Sequence, residues 1–297
     1  MNLSLFIYRK LKTNNDKSNI SSRIIKIAIF SVFVGIFVSL SAVSIGKGLQ
    51  ISIKETLFNI SSDISISSYE NNNRGIASEI IQESEDIIDE IEILYPDIRI
   101  NSILEKPSIV TIDNSIETII FRGIKNELNF KKFDQFILEK LNDNPNSLND
   151  IIISKSLLQK LNISIGDNIT LYFQTFDNQK IPNIRYYRVY GVYETDFPDF
   201  DSSYIIGSIE SLQNLYELNS NDVGAIELII VDKESVMDIK NKLSAQDLLT
   251  NNNLSIVTVQ DKYNNIFNWI SIFDFNIFIV ITLMIIVAII SIIISML

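Results

Sequence analysis

Asp196, Asp199 and Asp201 fall together in the stretch ETDFPDFDSS, and three carboxylates that close could hold a hard cation. The stretch lacks the Asp/Asn alternation, the Gly and the closing Glu of a calcium loop, so a solvated loop is expected there instead. Gly-Lys occurs in SIGKGLQ (44–50), but without the GxxxxGK[ST] spacing that cradles nucleotide phosphates. Any energy source is therefore expected on another chain. No GxSxG nucleophile elbow is present. Carboxylate pairs of the glycosidase kind occur by chance in any acidic domain and single out nothing. The sequence has 0 His and 0 Cys, which removes Ser–His and Cys–His catalysis and nearly all zinc sites. The expectation is a protein that is not an enzyme by itself and takes no cofactor and no metal.

What remains is organisation around a bilayer. Mean hydropathy is +0.20 and 46% of the 297 residues are hydrophobic, too apolar for soluble domains alone. Two charge-free runs explain the excess, Ile27–Gly46 between Lys26 and Lys47, and Phe275–Leu297 at the end. At about 1.5 Å rise per residue each covers the roughly 30 Å hydrocarbon core, and in lipid both must be helices. Ala42-Val43-Ser44 could pass for a signal cleavage site. The run is longer than a signal core of about 7–15 residues, so an uncleaved anchor is expected. Residues 1–26 carry six Lys or Arg against one acid, Asp16, which places 1–26 in the cytoplasm and the loop 47–274 outside. That loop holds 19 basic and 35 acidic residues, which excludes nucleic acid as a partner class. It has no disulfide and, at 228 residues, needs none.

Neither run carries an ionisable residue between its ends, which argues against an ion or proton path. Phe33, Phe37, Leu40, Phe278 and Leu283 are candidates to wall a cavity for acyl chains, against the ordinary reading of lipid contact or helix packing. Gly35 would allow close helix approach.

Between the runs the pattern alternates strand and helix. Leu49, Ile53, Leu57 and Ile60 keep a helical spacing beyond the first run, with a break near Asp63. A strand is expected at 64–67 and an amphipathic acidic helix at 78–94, ended by Pro96. Strands follow at 98–104, 108–112 and 116–121, the last two joined by a hairpin at Asp113-Asn114. Residues 130–141 read as helix and 142–150 as linker. Further on come a strand and a Ser154-capped helix, a turn at Gly166-Asp167 and strands at 169–173 and 186–195. A strand with a Ser208-capped helix follows, then a strand at 225–231, a helix at 233–245, a strand at 256–259, and a helix from about Asp261 into the second run. The fold class is α+β: two transmembrane helices flanking a large extracytoplasmic mixed α/β domain, in two lobes.

Four stretches together resemble a known family: IIKIAIFSVFVGIFVSLSAVSIGKGLQ, KLNISIGDNITLYF, RVYGVYETDFPDFDSSYIIGSIESLQNL and IFNWISIFDFNIFIVITLMIIVAIISIIISML. The order resembles the permease subunit of lipoprotein-releasing (Lol-type, LolC/LolE-like) ABC transporters, within the FtsX/MacB-like family and nearest its Bacteroidota-type members. The resemblance implies a MacB-like periplasmic core domain and an inner-membrane location. It implies a cytoplasmic ABC ATPase subunit, a second permease subunit in a homo- or heterodimer, a lipoprotein substrate and a periplasmic lipoprotein carrier. It also implies four spans where two are present, so Leu297 is expected to be a truncation point. In some members an external loop hooks the carrier. The matching stretch here is Gln174–Arg185, with Phe176, Ile181 and Pro182 as its apolar content. The rival reading is a two-span sensor with an extracytoplasmic ligand-binding domain. A bitopic adhesion module fits less well, because the second run lacks a charged cytoplasmic stop.

Overall fold

The computed structural model describes residues 20–73, 76–112, 115–125, 133–142, 148–174, 182–232, 235–245 and 253–296. They fall into a helical unit, up to Ile53 and from Asn264, and a sheet unit, Lys54–Tyr263.

Helix α1 runs without interruption from Ile20 to Ile60. It outlasts the charge-free run because the apolar spacing continues: Leu57 and Ile60 are buried in the sheet unit, and the helix stops at Ser61-Ser62-Asp63. The second long helix, α8, spans Asn264–Met296. Segments Ile29–Ile60 and Asn264–Ile290 are each long and apolar enough to cross a membrane.

In the sheet unit the elements are β1 (Ile64–Ser68), α2 (Ser84–Leu94), β2 (Arg99–Ile112), β3 (Ser115–Ile124), β4 (Ile137–Lys140), β5 (Asp150–Ser154) and α3 (Lys155–Leu161). They continue with β6 (Asn168–Phe173), β7 (Asn183–Tyr193), α4 (Pro198–Asp201), β8 (Tyr204–Ser208), α5 (Ile209–Leu215), β9 (Ala225–Ile229), α6 (Val236–Ser244), β10 (Leu254–Thr258) and α7 (Val259–Lys262). Among the described residues ten strands form one sheet, in the order β10-β1-β9-β2-β3-β8-β5-β7-β4, with β6 joining β2 to β7. The pairings β2–β3–β8–β5–β7–β6–β2 close on themselves into a six-stranded ring. Its alternate residues Val110, Phe121, Ile153, Leu171, Phe173 and Tyr187 are buried in the core, as period-2 alternation requires. Phe121 packs on Phe173 and Tyr187 at centroid distances of 5.8 and 5.0 Å. Instead of the two lobes expected from sequence, the ring and the β10-β1-β9 wing share β2 inside one compact unit.

Strand β2 serves both parts in turn. On one edge its residues 99–103 pair with β9 and 108–111 pair with β6. Pro107 lies in the interval where that edge has no strand partner, so its missing N–H breaks no ladder there. Two strands were expected on either side of Pro107; there is one of 14 residues. β2 and β3 pair antiparallel up to Ile112 opposite Ser115, while the expected turn residues Asp113 and Asn114 lie outside the described residues.

Two expected helices are corrected. The helix over 78–94 begins only at Ser84, because Glu83 takes a left-handed conformation (φ 50°) and Ile81 bridges to Val223. Of the helix over 130–141, only Phe133 is α-helical among the described residues. Asp134–Phe136 form a 3-10 turn and Ile137–Lys140 add to β7 as an edge strand, so a tertiary ladder overrides local helix preference. The caps hold as read: Ser154 accepts from the Leu157 N–H at 3.1 Å, and Ser208 from that of Glu210 at 3.2 Å.

Candidate functional site

In the helical unit most of the less exposed positions of α1 form one stripe at three- and four-residue spacing, Val32, Gly35, Ser39, Val43, Gly46 and Gln50, with Ser41 off it. From Ile270 on, those of α8 are Ile270, Phe273, Ile277, Met284 and Ala288, in steps of three, four and seven residues that keep to one face. The two stripes face each other. A Cβ at Gly35 would lie 3.0 Å from the Met284 sulfur, so a small residue is what allows this approach. The seam ends in polar contacts. Gln50 is 4% exposed, and its amide donates to the Ile270 carbonyl and the Asp274 carboxylate, each at 3.3 Å. Lys47 Nζ donates to the same carboxylate at 2.6 Å.

All five proposed cavity residues are exposed on this unit. At 3.6 residues per turn, Phe33, Phe37 and Leu40 share one stripe about 130° round α1 from the seam. Phe278 and Leu283 stand on opposite flanks of the α8 seam, about 140° apart. The unit thus gathers the three α1 residues on one face and separates the two on α8. Of the loop candidates, Pro182 is exposed, while Phe176 and Ile181 lie outside the described residues.

The acidic stretch 194–203 corrects the solvated-loop expectation at one position. Asp196 and Asp199 are exposed, but Asp201 is 6% exposed and its carboxylate accepts from the Thr195 N–H and, at 2.7 Å, from the Thr195 hydroxyl. Its carbonyl accepts from Ser156 at 2.8 Å and from Ser154, docking the turn on the start of α3. Burial raises the Asp201 pKa, and the Thr195 bonds only partly offset it. With the folded value above the unfolded one, the native state holds the proton more tightly. Asp201 therefore favours folding most at low pH, and that contribution fades as pH rises from its ordinary 3.8 through the raised value. Across the carboxylate range above pH 3.8 the wild type should lose stability relative to Asp201→Asn. Thermal unfolding midpoints across that range test this; parallel profiles would remove the assignment.

Sequence reading missed a buried cluster of three charges. Arg122 on β3 is 3% exposed and donates to Glu105 of β2 and to Glu227 of β9, both at 2.6 Å. Glu105 also accepts from the Ala77 N–H at 2.9 Å, and Glu227 from the Asn101 amide at 3.3 Å. Burial opposes the guanidinium charge, but the two carboxylates outweigh it and hold Arg122 protonated well above its ordinary range. Burial also pushes the neighbouring Tyr204 hydroxyl upward. The signal was present in the sequence as charges inside apolar strands: Glu105, beside Lys106, in SILEKP, Arg122 in IIFRGI and Glu227 in AIELII. Their meeting depends on register, Glu105 opposite Arg122 and Asn101 opposite Glu227. The arrangement ties three strands. It presents no nucleophile or general base to solvent, so its chemistry is structural.

A family model described as the MacB-like periplasmic core domain matches residues 27–246. No curated protein matches the chain. Among solved structures the chain is similar to the periplasmic region of MacB from Actinobacillus actinomycetemcomitans, at 15% identity and a TM-score of 0.43 over 69% of this chain and 92% of that one. It is also similar to the extracellular domain of the noncanonical ABC-type transporter YknZ from Gram-positive bacteria, at 14% identity and a TM-score of 0.42 over 66% and 99%. Assignment rests on the family match, which covers well over half the sequence from the first apolar run to the end of α6. The chain belongs to the MacB-like periplasmic core domain family of FtsX/MacB-type ABC transporter permeases, with a mixed α/β domain flanked by two long apolar helices.

Proposed function

We propose that the protein is the transmembrane subunit of an ABC transporter that couples ATP hydrolysis on a separate cytoplasmic subunit to release of lipoproteins from the inner membrane toward a periplasmic carrier. The observation that carries this is the family match over residues 27–246. Two features support the details. The basic residues 1–26 favour a cytoplasmic N-terminus and a periplasmic sheet unit. The charge-free faces of α1 and α8, with Phe33, Phe37 and Leu40 on one stripe, suit acyl chains or further helices rather than ions. A second permease subunit would complete the cavity, and the loop 174–185 would meet the carrier.

The reading is tested by purifying the protein, expressed from its own gene, in mild detergent. An ABC ATPase should co-purify, and ATP hydrolysis should rise when lipoprotein is added. Absence of any ATPase would overturn the permease reading. An ATPase indifferent to lipoprotein would overturn only the substrate. In the same preparation Phe176→Ala with Pro182→Ala should weaken carrier capture in a pull-down; unchanged capture removes the loop from that role.

A further inference from the structure

We infer that the sheet unit binds one ordered water at the end of α1, accepting from the Arg122 Nε–H and donating to Asn101 Oδ1. A small cavity is lined by Asn59, Ser61, Asn101, Arg122, Phe133 and Glu227. It has room for about one water, the least a hydrated cavity requires. Arg122 and Asn101 are 3% and 5% exposed. The remaining polar atoms of both side chains reach the carboxylates of Glu105 and Glu227, but Arg122 Nε and Asn101 Oδ1 have no protein partner. Buried polar atoms are normally satisfied by protein or by ordered water.

The chemistry selects the ligand. One orphan is a donor and the other an acceptor, and water serves both. A cation would meet the guanidinium and an anion the Glu227 carboxylate, each at close range. An apolar filler would leave both atoms unpaired.

The place gives the site its consequence. Asn59 and Ser61 bracket the last residue of α1, so the helix end meets the charged centre of the sheet across this cavity. A water there can exchange partners while the ion pairs stay intact, making a hydrated joint where α1 enters the sheet. This goes beyond the transport reading and does not depend on it.

A crystal structure of the chain at a resolution that shows ordered waters tests the assignment. Density for one water within hydrogen-bond distance of both Arg122 Nε and Asn101 Oδ1 is the expected result. With Asn101→Leu that density should disappear while Arg122 still contacts Glu105 and Glu227. A dry cavity in the wild type, or one filled by a side chain or an ion, would overturn the proposal. If Asn101→Leu does not fold, the wild-type map decides alone.

Discussion

Arg122→Met should destabilise the sheet unit by about 3–5 kcal/mol, the range for breaking a buried ion pair from one side. The loss comes less from the missing bonds than from what they leave behind. Glu105 and Glu227 are 1% and 5% exposed and would keep two negative charges in a site that water barely reaches. Arg122→Lys should not rescue the site, because one ammonium cannot present two separated donor pairs to carboxylates on different strands. Arg122→Met combined with Glu105→Leu and Glu227→Leu should recover much of the loss, since apolar replacement of a whole buried charge group is often neutral or better. Urea unfolding of the four proteins checks the series. If Arg122→Met shifts the midpoint no more than a surface substitution does, the centre is not the keystone of the three strands.

The second large effect concerns a backbone contact. A Cβ at Gly224 would lie 2.0 Å from the Ala77 carbonyl oxygen, far inside any tolerated distance. Neither side can yield cheaply. Ala77 is held through its carbonyl by the Glu105 N–H and through its own N–H by the Glu105 carboxylate, both at 2.9 Å. Gly224 is held by its N–H to the Ile103 carbonyl at 2.7 Å. Gly224→Ala should therefore cost about 3 kcal/mol, the upper part of the usual overpacking range. It should also weaken amide protection along β9. Gly48→Ala is the control: a Cβ there would meet nothing within 4 Å, and unfolding should stay nearly unchanged. Equal midpoints for the two variants would show that the 76–79 segment can move aside.

Local signals were legible where they decide structure locally. The Ser154 and Ser208 caps, the pairing of β2 with β3 and the helical spacing from Leu49 to Ile60 were each readable from neighbouring residues. Errors arose where distant partners decide. Ile137–Lys140 have helix-compatible side chains, yet β7 offers a ladder edge. Pro107 argues for a strand break until both neighbours of β2 are known. The charged centre was invisible for the same reason. Charges scattered in three apolar strands look like exceptions until the register brings Arg122 within 2.6 Å of both Glu105 and Glu227. The Lys47–Asp274 contact belongs with these, since the charges bounding the two apolar runs gave no hint that they pair.

The placement of β1 bears on how the protein is made. Ile64 pairs with Leu228 on one side and with Thr258 on the other, so β1 sits between strands from the far end of the domain. A chain emerging N-terminus first exposes both edges of β1 until nearly all of the sheet unit has been synthesised. Pairings of such long sequence separation are slow to form, and bare strand edges are the surfaces on which nascent chains aggregate. Both edges of β1 therefore gain their partners only after residues 254–258 have been made, which places the completion of this part of the sheet at the end of synthesis of the sheet unit.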